Sequence, residues 1–196
     1  VGRIQFMIMS LILSGFIFFG KPFIRYWAGS EYKDAYYITL FLIIPVTVPL
    51  IQNLGIEIQR AKNKHKARSV VYFFIAIANI FVSIPLIKLF GPCGAAFGTT
   101  LSLVAGNVLF MNWYYNNKLG INIKYFWKNI FGFVPSFIIP SIIGVIFFVI
   151  GANQIKVLAL QIIVYTIVFC LSLYMFGMNK EEKDIILKPV RKAFRL

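Results

Sequence analysis

Six apolar stretches, nearly free of charged residues, recur along the chain with short polar segments between them. They cover residues 4–20, 35–58, 70–90, 93–115, 130–151 and 157–178. Each is 17 to 24 residues long, and a helix needs about 20 residues to cross the hydrocarbon core of a bilayer. Segments such as "IIGVIFFVIG" lack the strict alternation of a membrane β-strand. The pattern predicts an all-α membrane protein with six transmembrane helices.

Composition separates the chain from soluble proteins and changes the meaning of its charge. Hydrophobic residues make up 60% and charged residues 13% of the chain, whereas about a quarter of a soluble domain is charged. The net charge of +14 would suit a nucleic-acid partner, and "RAKNKHKAR" at 60–68 carries five cations without an acid. A nine-residue loop has no recognition fold around it. We therefore predict no nucleic-acid binding and interpret the loop as a topology signal.

The cations are distributed unequally between the two sides of the predicted bundle. If Arg3 is cytoplasmic, six crossings place fifteen of the twenty Lys and Arg residues on the cytoplasmic side. The opposite side keeps Lys21, Arg25, Lys33, Lys88 and Lys156. Because positive charge is enriched in cytoplasmic loops, we predict that both ends of this chain are cytoplasmic.

The chain shows no arrangement of residues that is typical of catalysis or metal binding. Its only histidine, His65, lies in the basic loop, and Cys93 and Cys170 belong to different helices at no metal-ligand spacing. Glu57 is the only acid at the end of a predicted span, where we expect it to pair with Arg60. The sequence predicts no enzyme, no metal site and no cofactor.

The second apolar stretch contains helix breakers followed by amides, "IIPVTVPLIQNLG". Pro45 and Pro49 each remove a backbone hydrogen bond, and interrupted spans mark moving or binding elements of transporters. We predict a hinge at these prolines, although prolines are also common in ordinary membrane helices. The polar residues expected inside the bundle face a wet cavity or form hydrogen bonds between helices. They are Gln52, Asn53, Asn79, Asn107 and Gln161.

The segment "FGPCGAAFGTTLS" predicts a tight turn between two helices. Gly91 and Pro92 form the turn in this interpretation. Gly94 and Gly98 are four residues apart and allow close helix packing.

Several segments together resemble the polysaccharide-transporter family, the lipid-linked oligosaccharide flippases of the MATE-like multidrug/oligosaccharidyl-lipid/polysaccharide (MOP) superfamily. The resemblance covers residues 10–128 and depends on the order of four segments. These are "FFGKPFIRYWAGSEYKDAYYI", "AKNKHKARSVVYFFIAIANIFVSIPLI", "GPCGAAFGTTLS" and "WYYNNKLGINI". The family has two six-helix lobes, so the resemblance implies a C-terminal portion that pairs with a missing N-terminal lobe. It divides the chain into four flippase-like helices (1–128), two further helices (129–178) and a tail (179–196).

The resemblance implies transport of an undecaprenyl-pyrophosphate-linked oligosaccharide across the bacterial cytoplasmic membrane by alternating access. Lys21, Arg25 and Arg60 are the candidate cations for this substrate, unless they extend to lipid headgroups instead. Gln52, Asn53, Asn79 and Asn107 are the candidate polar contacts. A MATE-type drug or cation antiporter and a membrane glycan polymerase or ligase remain alternatives. The first usually needs carboxylates inside the membrane, and the second needs large outer loops.

The tail, "KEEKDIILKPVRKAFRL", is predicted to be a basic amphipathic helix that lies on anionic membrane lipids. A disordered tail is the alternative. The apolar face would consist of Ile186, Leu187, Val190, Ala193 and Phe194. The basic face would consist of Lys188, Arg191, Lys192 and Arg195.

Overall fold

The computed structural model describes residues 2–152 and 154–185, and these residues form an all-α fold, as predicted. The α-helices are α1 (Gly2–Trp27), α2 (Lys33–Ile51), α3 (Asn53–Ala61), α4 (His65–Leu103), α5 (Met111–Lys118), α6 (Ile123–Phe131), α7 (Ile138–Ile150) and α8 (Ile155–Ser172). Short 3-10 turns cover Ser30–Tyr32 and Val134–Phe137, and π-helical segments cover Val104–Phe110 and Leu173–Gly177. The tail faces predicted at 186–196 lie outside the described residues.

Five helical stretches are long and apolar enough to cross a membrane, with mean hydropathies from 1.8 to 2.5. They are Gly2–Trp27, Ser30–Ile51, Lys66–Lys118, Ile123–Ile150 and Ile155–Gly177. At most a third of the residues in each apolar window are buried by other parts of the chain. Because their apolar side chains point outwards, these helices indicate a multi-pass membrane protein, as predicted.

The third stretch turns back on itself at Gly91, whose φ of 59° and ψ of −143° interrupt the helix. This φ lies in the region that favours glycine. Beyond the turn the chain runs antiparallel to the residues before it, as three close contacts show. They join Gly94 to Leu86, Gly98 to Ser83 and Gly106 to Ile75. We call residues 65–118 the hairpin; its two arms account for the third and fourth of the six predicted crossings.

The second predicted span was wrong as a single helix over 35–58. The helix α2 continues through Pro45 and Pro49 and ends at Ile51, and non-helical dihedral angles at Gln52 separate it from α3. Gln52 has a φ of −93° and a ψ of 17°. The backbone break therefore lies after the two prolines and not at either of them. A helix can continue through a proline when another group donates a hydrogen bond to the carbonyl that the proline leaves without its N–H partner.

The fifth predicted span, 130–151, is also divided. A bend at Gly132 and the 3-10 turn around Pro135 precede α7, which begins only at Ile138. The boundary predicted after residue 128 falls inside α6. An aromatic cluster packs α1 against the last two spans and includes Phe19, Phe133, Tyr165 and Phe169. The final helices therefore share a core with α1.

Four basic segments meet at one end of the bundle, which we call the basic end. Arg3 contacts the backbone of Asn129 and Gly177 at 3.4 and 3.2 Å. Lys62 donates to the carbonyl of Leu119 at 2.8 Å. The hairpin turn at Gly91 and the start of α2 lie at the opposite end. This grouping agrees with the predicted number of crossings, and the membrane side of each end remains a prediction.

Candidate functional site

A polar network joins the two arms of the hairpin near its open end. Arg68 on the first arm donates to the Tyr115 hydroxyl at 3.0 Å and to the Tyr72 hydroxyl at 2.7 Å. The Tyr72 hydroxyl in turn donates to Oδ1 of Asn107 at 3.0 Å. The network thus holds the Arg68 guanidinium with two hydroxyls and crosses from one arm to the other twice.

Local helix geometry explains how these side chains meet. Arg68 and Tyr72 are four residues apart on one helical face, and the guanidinium carbon lies 5.0 Å from the centre of the Tyr72 ring. Asn107 lies within the π-helical segment Val104–Phe110 and is only 3% exposed. Single π-helical turns often occur at functional sites because they displace a side chain from its regular position. Here the π-helical segment holds the amide of Asn107 beside Tyr72.

The network forms one wall of a cavity of about 600 Å³ at the basic end. Its lining consists of Ile56, Gln59, Arg60, Arg68, Ser69 and Tyr72. This volume is within the range of small-molecule sites, about 300–1,000 Å³. The cavity therefore combines two arginines with hydroxyl and amide groups.

The two arginines of this cavity differ in their charge balance. Arg60 pairs with Glu57 at 2.9 Å, which confirms that predicted contact. Across residues 2–152 and 154–185, the two ion pairs are this one and Arg3–Glu182, so neither includes Arg68. Within the described residues, Arg68 donates to two neutral hydroxyl oxygens and to no carboxylate, so no acid there offsets its charge. An anion that enters the cavity would find an oriented and uncompensated guanidinium.

The predicted polar residues mostly form hydrogen bonds between helices. Gln52 is buried and donates to Asn112 Oδ1 at 2.6 Å, which joins the end of α2 to the hairpin. Asn79 Oδ1 accepts from Ser83 at 2.7 Å and from Thr99 at 3.3 Å, and the latter bond joins the two arms. These contacts match the hydrogen-bonding alternative given above.

Three other predicted residues lie away from this cavity. Asn53 is exposed at the start of α3. Lys21 and Arg25 lie at the far end of α1, roughly 30 Å from Arg3 at a rise of 1.5 Å per residue, and line a separate cavity. The structure therefore does not bring these two cations together with Arg60.

Arg68, Tyr72 and Tyr115 of the network, and Asn112 as the partner of Gln52, are not among the site residues that the sequence predicts. The sequence contains one signal for the network, since Tyr72 follows Arg68 at helical spacing. The partners on the second arm become visible once the turn is fixed at Gly91. Positions at similar distances from the turn then lie near each other, which brings Tyr72, 19 residues before Gly91, close to Asn107, 16 residues after it.

Comparisons with protein-family models, curated proteins and solved structures gave no match.

Proposed function

We propose that this chain is part of a transporter that moves an undecaprenyl-pyrophosphate-linked oligosaccharide across the bacterial cytoplasmic membrane, without making or breaking covalent bonds. The observation that supports this function is the cavity at the basic end, where Arg68 carries an uncompensated charge. The apolar helices supply a membrane setting for a lipid substrate. The resemblance over residues 10–128 supplies the substrate class.

The chemistry of Arg68 suits a pyrophosphate group. A guanidinium presents several N–H donors in a planar fork that matches phosphate oxygens. Tyr72 and Tyr115 receive one donor each from different nitrogens, which fixes the plane of the guanidinium. Further N–H groups of Arg68 are then available to the cavity. Arg60 also lines the cavity, but Glu57 offsets its charge, so we assign the anion to Arg68.

The proposed transport cycle requires the cavity to open alternately to each side of the membrane. Asn107 and Tyr115 belong to the second arm, so a ligand on Arg68 would act on both arms at once. The end of α2 is joined to the same arm through Gln52 and Asn112. We propose that movements of α2 reach the cavity through this amide pair, and that an N-terminal lobe of the kind that the resemblance implies forms its other wall.

The test is to replace Arg68 in the full-length protein, expressed in a strain that lacks its own flippase. Arg68→Gln should reduce export of surface glycan by about tenfold or more, because hydrogen bonds to charged groups contribute about 1.5–3 kcal/mol. Arg68→Lys should retain part of the activity. Lys66→Gln is the matched control, since this exposed lysine belongs to the same basic segment but does not line the cavity.

Membrane abundance must be measured for each variant. Normal export by Arg68→Gln at normal abundance would remove the support for this function. A parallel loss of export in Lys66→Gln would show that only the total charge of the segment matters.

A further inference from the structure

A second cavity, of about 630 Å³, lies at the end opposite the basic end, between the last turns of α1 and the first turn of α2. Its charged and aromatic lining consists of Lys21, Arg25, Lys33, Asp34, Tyr36 and Tyr37. Three cations and one acid therefore converge on a space large enough for a ligand headgroup.

Aromatic rings orient Lys21, and none of the three cations belongs to an ion pair among the described residues. Both ion pairs found in the described part of the chain lie elsewhere. The Lys21 ammonium lies 5.1 Å from the ring centre of Tyr36 and 5.2 Å from that of Tyr37. Ring faces attract an ammonium group without cancelling its charge. Tyr36 is itself held in place, since it is 7% exposed and donates to the Ile17 carbonyl at 2.9 Å.

The backbone adds to the positive potential of the cavity. Gly29, with a φ of 102°, and the 3-10 turn after it direct the chain from α1 into α2. The first turn of α2 therefore begins at the cavity wall, with Lys33 and Asp34. No side chain of the described residues caps this helix start at Tyr32. Free N–H groups at the start of a helix favour an anion.

We propose that this cavity binds a phosphate-bearing group at the end of the bundle opposite Arg68. Lys21 and Lys33 would act as compact positive charges, and Arg25 would supply several N–H donors in one plane. Among the described residues, Asp34 is the one acid of the lining, so the three cations keep the lining positively charged overall. The group could be carried by a pyrophosphate-linked lipid or by an ordinary anionic phospholipid. The inference does not depend on the proposed transport function, because the site can be occupied in a protein that transports nothing.

The experiment is to measure how fast each lysine of the full-length protein is acylated, by mass spectrometry. The protein is held in nanodiscs of phosphatidylcholine, with or without inorganic pyrophosphate, or in nanodiscs that also contain phosphatidylglycerol. Occupation of the cavity should slow the acylation of Lys21 and Lys33, by about tenfold at ten times the Kd. Lys88 and Lys156 are the internal controls, since they are exposed at the same end and do not line the cavity.

Arg25→Gln should abolish most of this protection, and Lys88→Gln should leave it unchanged. Protection by pyrophosphate alone would support a pyrophosphate-bearing lipid, whereas protection by phosphatidylglycerol would support a phospholipid headgroup. Equal protection of all four lysines, or of none under either condition, would overturn the proposal. Arg68→Gln should leave the protection intact, so a failure of the transport proposal is distinguishable from a failure of this one.

Discussion

In two regions of the bundle, a buried proline leaves a backbone carbonyl without its helical donor, and the surroundings of that carbonyl differ. One is the contact of α2 with the hairpin, and the other is the contact of α7 with α8. Each contains a buried proline, which lacks an N–H and so frees the carbonyl four residues earlier. In α2, Pro45 frees the carbonyl of Phe41, and Thr100 Oγ1 on the hairpin donates to it at 2.5 Å.

The second region supplies its donor in the same way. Pro140 lies in the first turn of α7 and frees the carbonyl of Ser136. Ser172 Oγ, in the last turn of α8, donates to that oxygen at 2.6 Å. A hydroxyl from a neighbouring helix therefore replaces the missing N–H in both regions, as membrane helices require.

The surroundings decide how permanent each bond is. Thr100 Oγ1 also lies 2.9 Å from the Ala96 carbonyl of its own helix, so one proton has two acceptors. Ser172 has the single acceptor Ser136 among the described residues, and both are at most 3% exposed. We infer that the Thr100 hydroxyl can exchange between two acceptors, whereas Ser172 donates to the Ser136 carbonyl between α7 and α8.

The buried fractions of the apolar windows are equal for the two stretches that contain the prolines, at 22% for Ser30–Ile51 and 22% for Ile123–Ile150. They differ for the partners of these helices, at 6% for the hairpin and 33% for Ile155–Gly177. The last span packs through the aromatic cluster of Phe133, Tyr165 and Phe169. Lipid offers no hydrophobic force between helices, so hairpin packing depends on small residues and polar bonds.

The largest expected effect comes from separating the arms of the hairpin. A Cβ at Gly94 would overlap the backbone carbonyl of Leu86, which cannot move aside as a flexible side chain could. Gly94→Leu should cost more than about 3 kcal/mol, the upper range for overpacking, and should abolish the monodisperse peak in size-exclusion chromatography. Gly15→Leu is the control, since a Cβ there meets nothing within 4 Å. A normal peak for Gly94→Leu would refute close packing of the arms.

The second prediction sharpens the comparison of the two hydroxyl bonds. Ser172→Ala should lower the free energy of unfolding by about 1–3 kcal/mol, because it leaves a buried carbonyl without a donor. Thr100→Val should cost less, about 0.6 kcal/mol, the average for hydrogen bonds between membrane helices. Thermal unfolding in detergent measures both.

A double-mutant cycle isolates the proposed cause. Pro140→Ala restores an N–H opposite the Ser136 carbonyl, so Ser172→Ala should cost less in that background. Equal costs of Ser172→Ala with and without Pro140 would show that the hydroxyl does not replace the missing donor.

The third prediction concerns movement of α2 in the full-length protein. Replacing Pro45 and Pro49 together with Ala restores two backbone N–H donors inside α2, which should stiffen the helix and reduce glycan export by about tenfold, equivalent to about 1.4 kcal/mol. Membrane abundance should stay nearly unchanged. Pro85→Ala is the control, because this proline lies on the exposed side of the hairpin. Normal export by the double variant would assign both prolines to packing alone.

Some of this architecture is readable from the sequence because lipid imposes it. Helix length reports the thickness of the bilayer, and the Gly91-Pro92 turn is visible as a local signal. The break at Gln52 is not readable in this way, since an apolar window contains no information on one residue's dihedral angles. The amide of Gln52 marks the position only after its partner Asn112 is known.

The candidate site was less predictable than the fold. The sequence predicts the pairing of Arg60 with Glu57, which the structure confirms. It does not show which groups from other parts of the chain surround Arg68. The bond from Arg68 to Tyr72 follows from helical spacing, whereas the bond from Arg68 to Tyr115 depends on the register of the hairpin, which Gly91 sets far from the site.

An ion pair at the basic end links residues far apart in sequence and adds a pH dependence to the fixed region. Arg3 Nε donates to Glu182 Oε1 at 2.5 Å, although the two residues are 179 positions apart. The backbone N–H of Asn179 donates to the same carboxylate at 2.9 Å. Burial of Glu182 would raise its pKa, but the bonds from Arg3 and Asn179 outweigh burial and hold the pKa below its usual value.

The smallest expected effect is the loss of this pair in acid. Because the pKa of Glu182 is lower in the folded protein than in the unfolded chain, its contribution is complete above the unfolded value of about 4.5. It disappears as the pH falls through the folded pKa. Between neutral pH and the pH at which Glu182 becomes protonated in the folded protein, the Tm of the wild-type protein should therefore fall further than the Tm of Glu182→Gln. The difference should be about 2–4 °C for each kcal/mol that the carboxylate contributes to stability. Glu181→Gln, which alters the exposed neighbour, should retain the wild-type dependence. Identical pH profiles for wild type and Glu182→Gln would mean that the carboxylate contributes nothing to the attachment of α1, and that the aromatic cluster alone fixes this region.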